Sequence, residues 1–212
     1  MESALHRPLP ADFRLIETMA WRRNPGFLNL EGHLARLERT ARVFAIPFAR
    51  SDVDRALAAA TRGEAPARVR LTLAPEGRAE AVSEPFVAGP DIWTARIAAE
   101  RLDPADPWLR VKTTMRARYD AARANLPNGV HEMIFLNRRG EICEGTIFNV
   151  FLKVGDVYLT PRLSCGLLPG IQREVLLREG RAREAVLTPE DLRRGRLFLG
   201  NSLRGLCAAR LG

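Results

Sequence analysis

Glu144-Gly145-Thr146-Ile147-Phe148-Asn149-Val150-Phe151-Leu152, then Thr160, then Leu167-Leu168-Pro169-Gly170-Ile171-Gln172-Arg173, is the stretch on which the fold turns. An acid stands just before a strongly apolar run, and the β-branched and aromatic residues over 146–152 predict a strand. Gly155-Asp156 turns the chain back into a second strand over 157–159. A loop rich in small residues follows over 163–170, and Ile171 to Arg178 reads as a helix. A helix that begins after Gly170 offers backbone N–H groups and the positive end of its dipole, which is a seat for an anion such as phosphate. Taken singly, Gly170 is a loop residue ahead of a helix, and Glu144 is an exposed acid at a strand end.

Working outward, Leu187 to Arg194 is a short helical piece after Thr188-Pro189-Glu190. Arg196 to Leu199 is a last strand running into Gly200-Asn201-Ser202, whose short polar side chains are further donors. Toward the N-terminus, Met133 to Leu136 reads as a strand, Asn137 to Gly140 as a turn, and Met115 to Ala124 as a helix. Asp103-Pro104-Ala105-Asp106-Pro107 interrupts any regular element, so the boundary between a domain 1–105 and a domain 106–212 is expected there. Phe13 to Met19 looks like a strand, with Asn24-Pro25-Gly26 closing a hairpin. From Glu31 to Phe44, Leu34, Leu37, Ala41 and Phe44 share one helical face while Arg36 and Arg39 point elsewhere. A second helix is expected from a capping Ser51 through Ala60, and Arg68 to Leu73 alternates like a strand. The sum is α/β of the α+β type: a small N-terminal α/β domain and a larger C-terminal domain rich in antiparallel strands, because most connections are too short for a parallel crossover.

With 46% hydrophobic residues in 212, the chain is long enough to bury a proper core. The net charge of +8 raises the question of nucleic acid. The arginines are spread from Arg7 to Arg210 among acids and apolar residues, without an aromatic platform, so no nucleic-acid partner is expected. No apolar run is long enough for a membrane span, and Met1-Glu2-Ser3-Ala4 opens no basic-then-apolar leader; a cytoplasmic protein with no membrane partner is the expectation. Cys143, Cys165 and Cys207 have neither metal-ligand spacing nor a disulfide framework and read as buried free thiols; no metal is expected. Of 33 basic side chains only Lys112 and Lys153 are lysines. A primary amine forms an imine with an aldehyde and gives up a proton near neutrality; a guanidinium does neither. Lys153 sits beside Gly155-Asp156 at an exposed hairpin end, which leaves Lys112 as the candidate for chemistry.

In order along the chain, Glu17-Thr18, His33-Leu34-Ala35-Arg36-Leu37, Lys112, and the spaced pattern Glu144, Thr146, Asn149-Val150-Phe151, Thr160 and Leu168 to Arg173 resemble the class IV aminotransferases, the fold-type IV family of pyridoxal-phosphate enzymes. The resemblance implies pyridoxal 5′-phosphate held as a Schiff base on Lys112. It also implies Glu144 paired with the pyridine nitrogen, and the phosphate held by Arg36, the backbone N–H groups of Ile171 and Gln172, and Asn201 or Ser202. Two positions depart from the pattern: Tyr158 stands where an aliphatic residue or Phe is preferred, and Gln172 replaces a threonine, leaving backbone donors in place. The chain is also shorter than typical relatives, so a homodimer is expected, a partner subunit completing the substrate wall.

Family members either exchange amino groups or eliminate pyruvate from aminodeoxychorismate to give 4-aminobenzoate. Glu17-Thr18, the compact chain and Asn201 to Gly205 resemble the lyase branch more than the branched-chain or D-amino acid transaminases. Alternation puts Arg68 and Arg70 on one strand face. That face would hold the carboxylates of a small anionic amino substrate, or else form a solvent-facing basic stripe.

Overall fold

A computed structural model describes residues 9–61 and 65–212; the Met1 to Ala4 start and Arg7 lie outside them. The chain divides into two compact units, residues 1–88 with 111–115, and residues 89–110 with 116–212. The division falls earlier than the expected cut at 105/106. Residues 93–102 are a strand of the second unit, and the short segment carrying Lys112 returns to the first.

The smaller unit is a sheet with helices on one face. Its strands are β1 (Leu15–Arg22), β2 (Gly26–Phe27), β3 (Ala67–Leu73) and β4 (Ala79–Pro85), in the order β2-β1-β3-β4 and antiparallel throughout. Helices α1 (Leu30–Val43) and α2 (Arg50–Ala60) supply Leu34, Leu37, Ala41, Val53 and Leu57 to the core, with Met19, Val69 and Leu71 from the strands. Three expectations change here. Arg36 does not point away from the packed face but is only 5% exposed, because Glu17 on β1 supplies the opposite charge. Ser51 does not cap α2: the helix starts one residue earlier behind Ala49, and Asp54 accepts from Arg50 at 2.8 Å instead. Strand β4 follows Arg78 where no strand was expected, since its residues alternate between half-buried and exposed and show no apolar signal.

The larger unit contains β5 (Trp93–Leu102), α3 (Ala117–Ala124), β6 (Glu132–Asn137), β7 (Ile142–Gly145), β8 (Asn149–Val154), β9 (Val157–Pro161), α4 (Ile171–Arg178), β10 (Ala182–Ala185), α5 (Pro189–Arg194), β11 (Arg196–Asn201) and β12 (Gly205–Leu211). The strand order is β10-β9-β8-β11-β12-β5-β6-β7, and β7 pairs again with β8, so the strands from β8 round to β7 close on themselves. Only the β9–β10, β12–β5 and β5–β6 joins are parallel. The core inside this ring holds Trp93, Ile134, Leu136, Phe148, Val150, Leu152, Leu197 and Leu199. Arg196 to Leu199 is not the last strand: β12 follows and links β11 to β5. Thr146 to Phe148 is a bend between β7 and β8 rather than the start of a strand. Cys143 and Cys165 are buried free thiols, whereas Cys207 is half-buried.

Candidate active site

In the smaller unit, Lys112 lies on an edge added to β1. The Ile16 N–H donates to the Lys112 carbonyl at 2.9 Å, the Thr114 N–H to the Arg14 carbonyl at 2.9 Å, and Leu15 bridges Thr113. Lys112 is therefore opposite Ile16 and shares its side of the sheet. On β3, Thr72 is opposite Ile16, Arg70 opposite Thr18, and Arg68 opposite Ala20. One register face thus carries Lys112, Thr18, Arg70 and Arg68. Arg68 donates to Glu84 at 2.7 Å.

The neighbouring position in the alternation, Glu17, belongs to the other face, under α1. There Arg36 Nε and Nη2 donate to its two carboxylate oxygens at 2.8 and 2.6 Å, and His33 Nδ1 lies 2.6 Å away. His33 and Arg36 are three apart, so both fall on the buried side of α1. Burial by itself would raise the Glu17 pKa; the Arg36 charge and the hydrogen bonds from His33 and Arg36 outweigh it and hold the carboxyl at about 2. Arg36 is thereby fixed in place by a fork-to-fork contact.

In the larger unit Glu144 is not an exposed strand-end acid. It is inside β7, 7% exposed. Tyr119 Oη donates to one carboxylate oxygen at 2.7 Å and the Leu168 N–H to the other at 3.1 Å. Asn149, paired with Glu144 across the β7–β8 join, donates from Nδ2 to the Leu168 carbonyl at 3.0 Å. Acid, asparagine and the loop before α4 thus form one connected piece, and the loop ends at Gly170. A Cβ at Gly170 would come 1.9 Å from Asn149 Oδ1, so only glycine lets the loop approach this closely. Helix α4 begins behind Gly170 without a side-chain cap, leaving the first-turn N–H groups of Ile171 and Gln172 for an incoming anion. Asn201 donates to the Ile147 carbonyl at 3.2 Å and accepts from the N–H groups of Leu203 and Arg204, and Ser202 beside it is buried.

Two groups at this site were missed in the sequence. Tyr119 looked like one more residue of a helix. Glu132, just ahead of the strand expected over 133–136, is fully buried and gathers the N–H groups of Met133, Thr146 and Ile147 at 2.8, 2.9 and 3.3 Å. It holds the bend that joins Glu144 to Asn149. Its partners lie up to 15 residues away, so no local signal marked it.

A sequence profile of the family described as amino-transferase class IV matches residues 14–211. Aminodeoxychorismate lyase of Saccharomyces cerevisiae is 31% identical over 130 residues, covering 52% of this chain and 33% of that protein. A Thermotoga maritima protein provisionally named a branched-chain-amino-acid aminotransferase is 30% identical over 162 residues, covering 72% of this chain and 58% of that one. The chain thus matches less than two thirds of the length of either curated relative. Among solved structures, a Mesorhizobium loti protein provisionally named an amino-acid aminotransferase superposes with a TM-score of 0.90 at 43% identity, covering 95% of this chain and 100% of that one. With the profile running through almost every strand and helix just described, the chain belongs to the class IV aminotransferases, a family of pyridoxal-phosphate enzymes.

Proposed function

We propose that the chain is a pyridoxal 5′-phosphate enzyme that converts 4-amino-4-deoxychorismate to 4-aminobenzoate and pyruvate. The observation that carries the cofactor is the Glu144 carboxylate, buried and aimed by Tyr119 and the Leu168 amide in the same piece of chain that ends at the uncapped start of α4. That donor and acceptor set fits a molecule with a basic ring nitrogen at one end and a phosphate at the other. When bound, the cofactor supplies an electron sink for charge released at the substrate.

Each residue then has a task of its own. Glu144 holds a proton on the ring nitrogen, since a nearby carboxylate favours the cationic form. The N–H groups of Ile171 and Gln172 bind phosphate oxygens, with Asn201, Ser202 and Arg36 as further partners. Lys112 is the amine that would hold the cofactor through its aldehyde carbon and, once released by the substrate's amine, would move protons at the substrate. Arg70, with Arg68, meets substrate carboxylates from the Lys112 face of the small sheet. The reaction breaks the ether bond to the three-carbon side chain, takes one proton from a ring carbon and returns one to the departing fragment. Its atoms balance without water or oxidant, and both proton transfers are assigned to the Lys112 amine.

The yeast relative named a lyase supports this reaction. The Mesorhizobium loti relative, more similar and matched from end to end, supports a second one: exchange of an amino group between an amino acid and a 2-oxo acid. Purified chain loaded with cofactor and given 4-amino-4-deoxychorismate is expected to release 4-aminobenzoate, read by its fluorescence. No 4-aminobenzoate together with nitrogen exchange between an amino acid and a 2-oxo acid replaces the lyase with the aminotransferase. Neither reaction overturns both.

A further inference from the structure

The chain has only two tyrosines, Tyr119 and Tyr158, and one of them spends its hydroxyl on Glu144. The Tyr119 ring is clamped. Phe135 meets it edge-on with centroids 5.2 Å apart, and the Arg116 guanidinium lies 5.7 Å from its centroid. Arg116 is itself tied down, donating to the Thr146 carbonyl at 3.0 Å and to Asp120 at 2.8 Å. A phenol held on both sides aims its O–H along one line, and that line ends on a single oxygen of Glu144 at 2.7 Å. The Leu168 N–H takes the other oxygen. Each oxygen therefore accepts at least one hydrogen bond from the protein, and the two together constrain the plane of the carboxylate.

We propose that Tyr119 is a positioning residue for Glu144, fixing the direction and the ionised state of the carboxylate that the cofactor's ring nitrogen meets. The inference rests on the reading of Glu144 given above. Two effects follow from the contact. Donation to a charged carboxylate stabilises the ionised form, and a carboxylate that cannot rotate meets the ring nitrogen without further ordering. The positive charge of Arg110 also acts on Glu144 and favours the ionised form, and the Cys143 thiol is adjacent.

The test is the visible spectrum of the cofactor-loaded protein across pH, compared for wild type, Tyr119→Phe and Glu144→Gln, with the cofactor dissociation constant measured alongside. Phe keeps the ring contacts and removes one hydroxyl. Losing a hydrogen bond to a charged group moves a titration by roughly one unit. Tyr119→Phe is therefore expected to shift the acid-side spectral transition upward by about one pH unit and to weaken cofactor binding severalfold. A Tyr119→Phe spectrum and dissociation constant equal to wild type, where Glu144→Gln changes both, overturns the inference and leaves Glu144's role standing. An unchanged Glu144→Gln spectrum overturns both. Should Tyr119→Phe not fold, labelled tyrosine rings in the cofactor-free wild type decide the matter, Tyr158→Phe identifying the signals. The Tyr119 hydroxyl is expected to stay protonated beyond the usual phenol range and its signal to move in Glu144→Gln; a freely titrating Tyr119, indifferent to that substitution, overturns the proposal.

Discussion

Glu17 is ionised where a carboxylate is costly to bury, so its worth depends on pH. Its folded pKa of about 2 lies below the ordinary value of 4.5. The stability it contributes is therefore fully present above 4.5 and is lost as pH falls toward 2. We expect thermal melts to hold steady from neutrality to about pH 5 and then to decline. Glu17→Gln should make that decline shallower and cost about 3 kcal/mol at neutral pH, because it removes the negative charge that Arg36 and His33 share in a buried setting. An acid decline as steep in Glu17→Gln as in wild type would place the sensitivity in other carboxylates. At this scale the sequence was partly legible. His33 and Arg36 stood out by their place in the family pattern, and Lys112 by the scarcity of lysine. That Arg36 is buried was not legible: its partner lies 19 residues away on a strand, and a helical face read from apolar spacing leaves charged residues outside.

At the scale of elements, the approach of the loop 163–170 to β8 depends on the lack of a side chain at Gly170. Gly170→Ala places a methyl 1.9 Å from Asn149 Oδ1, so either Asn149 releases the Leu168 carbonyl or the loop withdraws. We expect a loss of roughly 1–3 kcal/mol in denaturant unfolding and weaker cofactor binding, since the displaced loop carries the Leu168 amide that Glu144 accepts. Cofactor affinity unchanged in Gly170→Ala would show that the start of α4 holds no phosphate. The bounds of α4 were readable because loop glycine and helical spacing meet at one residue. The bend at Thr146 was not. Its β-branched and aromatic residues favour a strand, and a buried carboxylate from another strand, Glu132, bends them by taking two of their N–H groups.

For the molecule as a whole, the mixed architecture and the prevalence of antiparallel pairing were legible, because hairpin turns are local. The closure of the larger sheet was not. It depends on β5 and β12, whose parallel partners are far away in the chain, and β5 is rich in alanine and charge with a burial pattern that follows no simple alternation. For the same reason the boundary between the units at residue 88, with 111–115 belonging to the smaller unit, could not be read from the prolines near 105. Lys112 belongs to the smaller unit and Glu144 to the larger. The chain offers only Lys112 and Lys153 as side-chain amines, the latter near the β8–β9 turn with its ammonium 5.8 Å from the Tyr158 ring centroid. Incubation with pyridoxal 5′-phosphate, reduction with borohydride, digestion and mass spectrometry should therefore find one phosphopyridoxyl group, on the peptide containing Lys112. The same group on Lys153, or on neither lysine, would contradict the account.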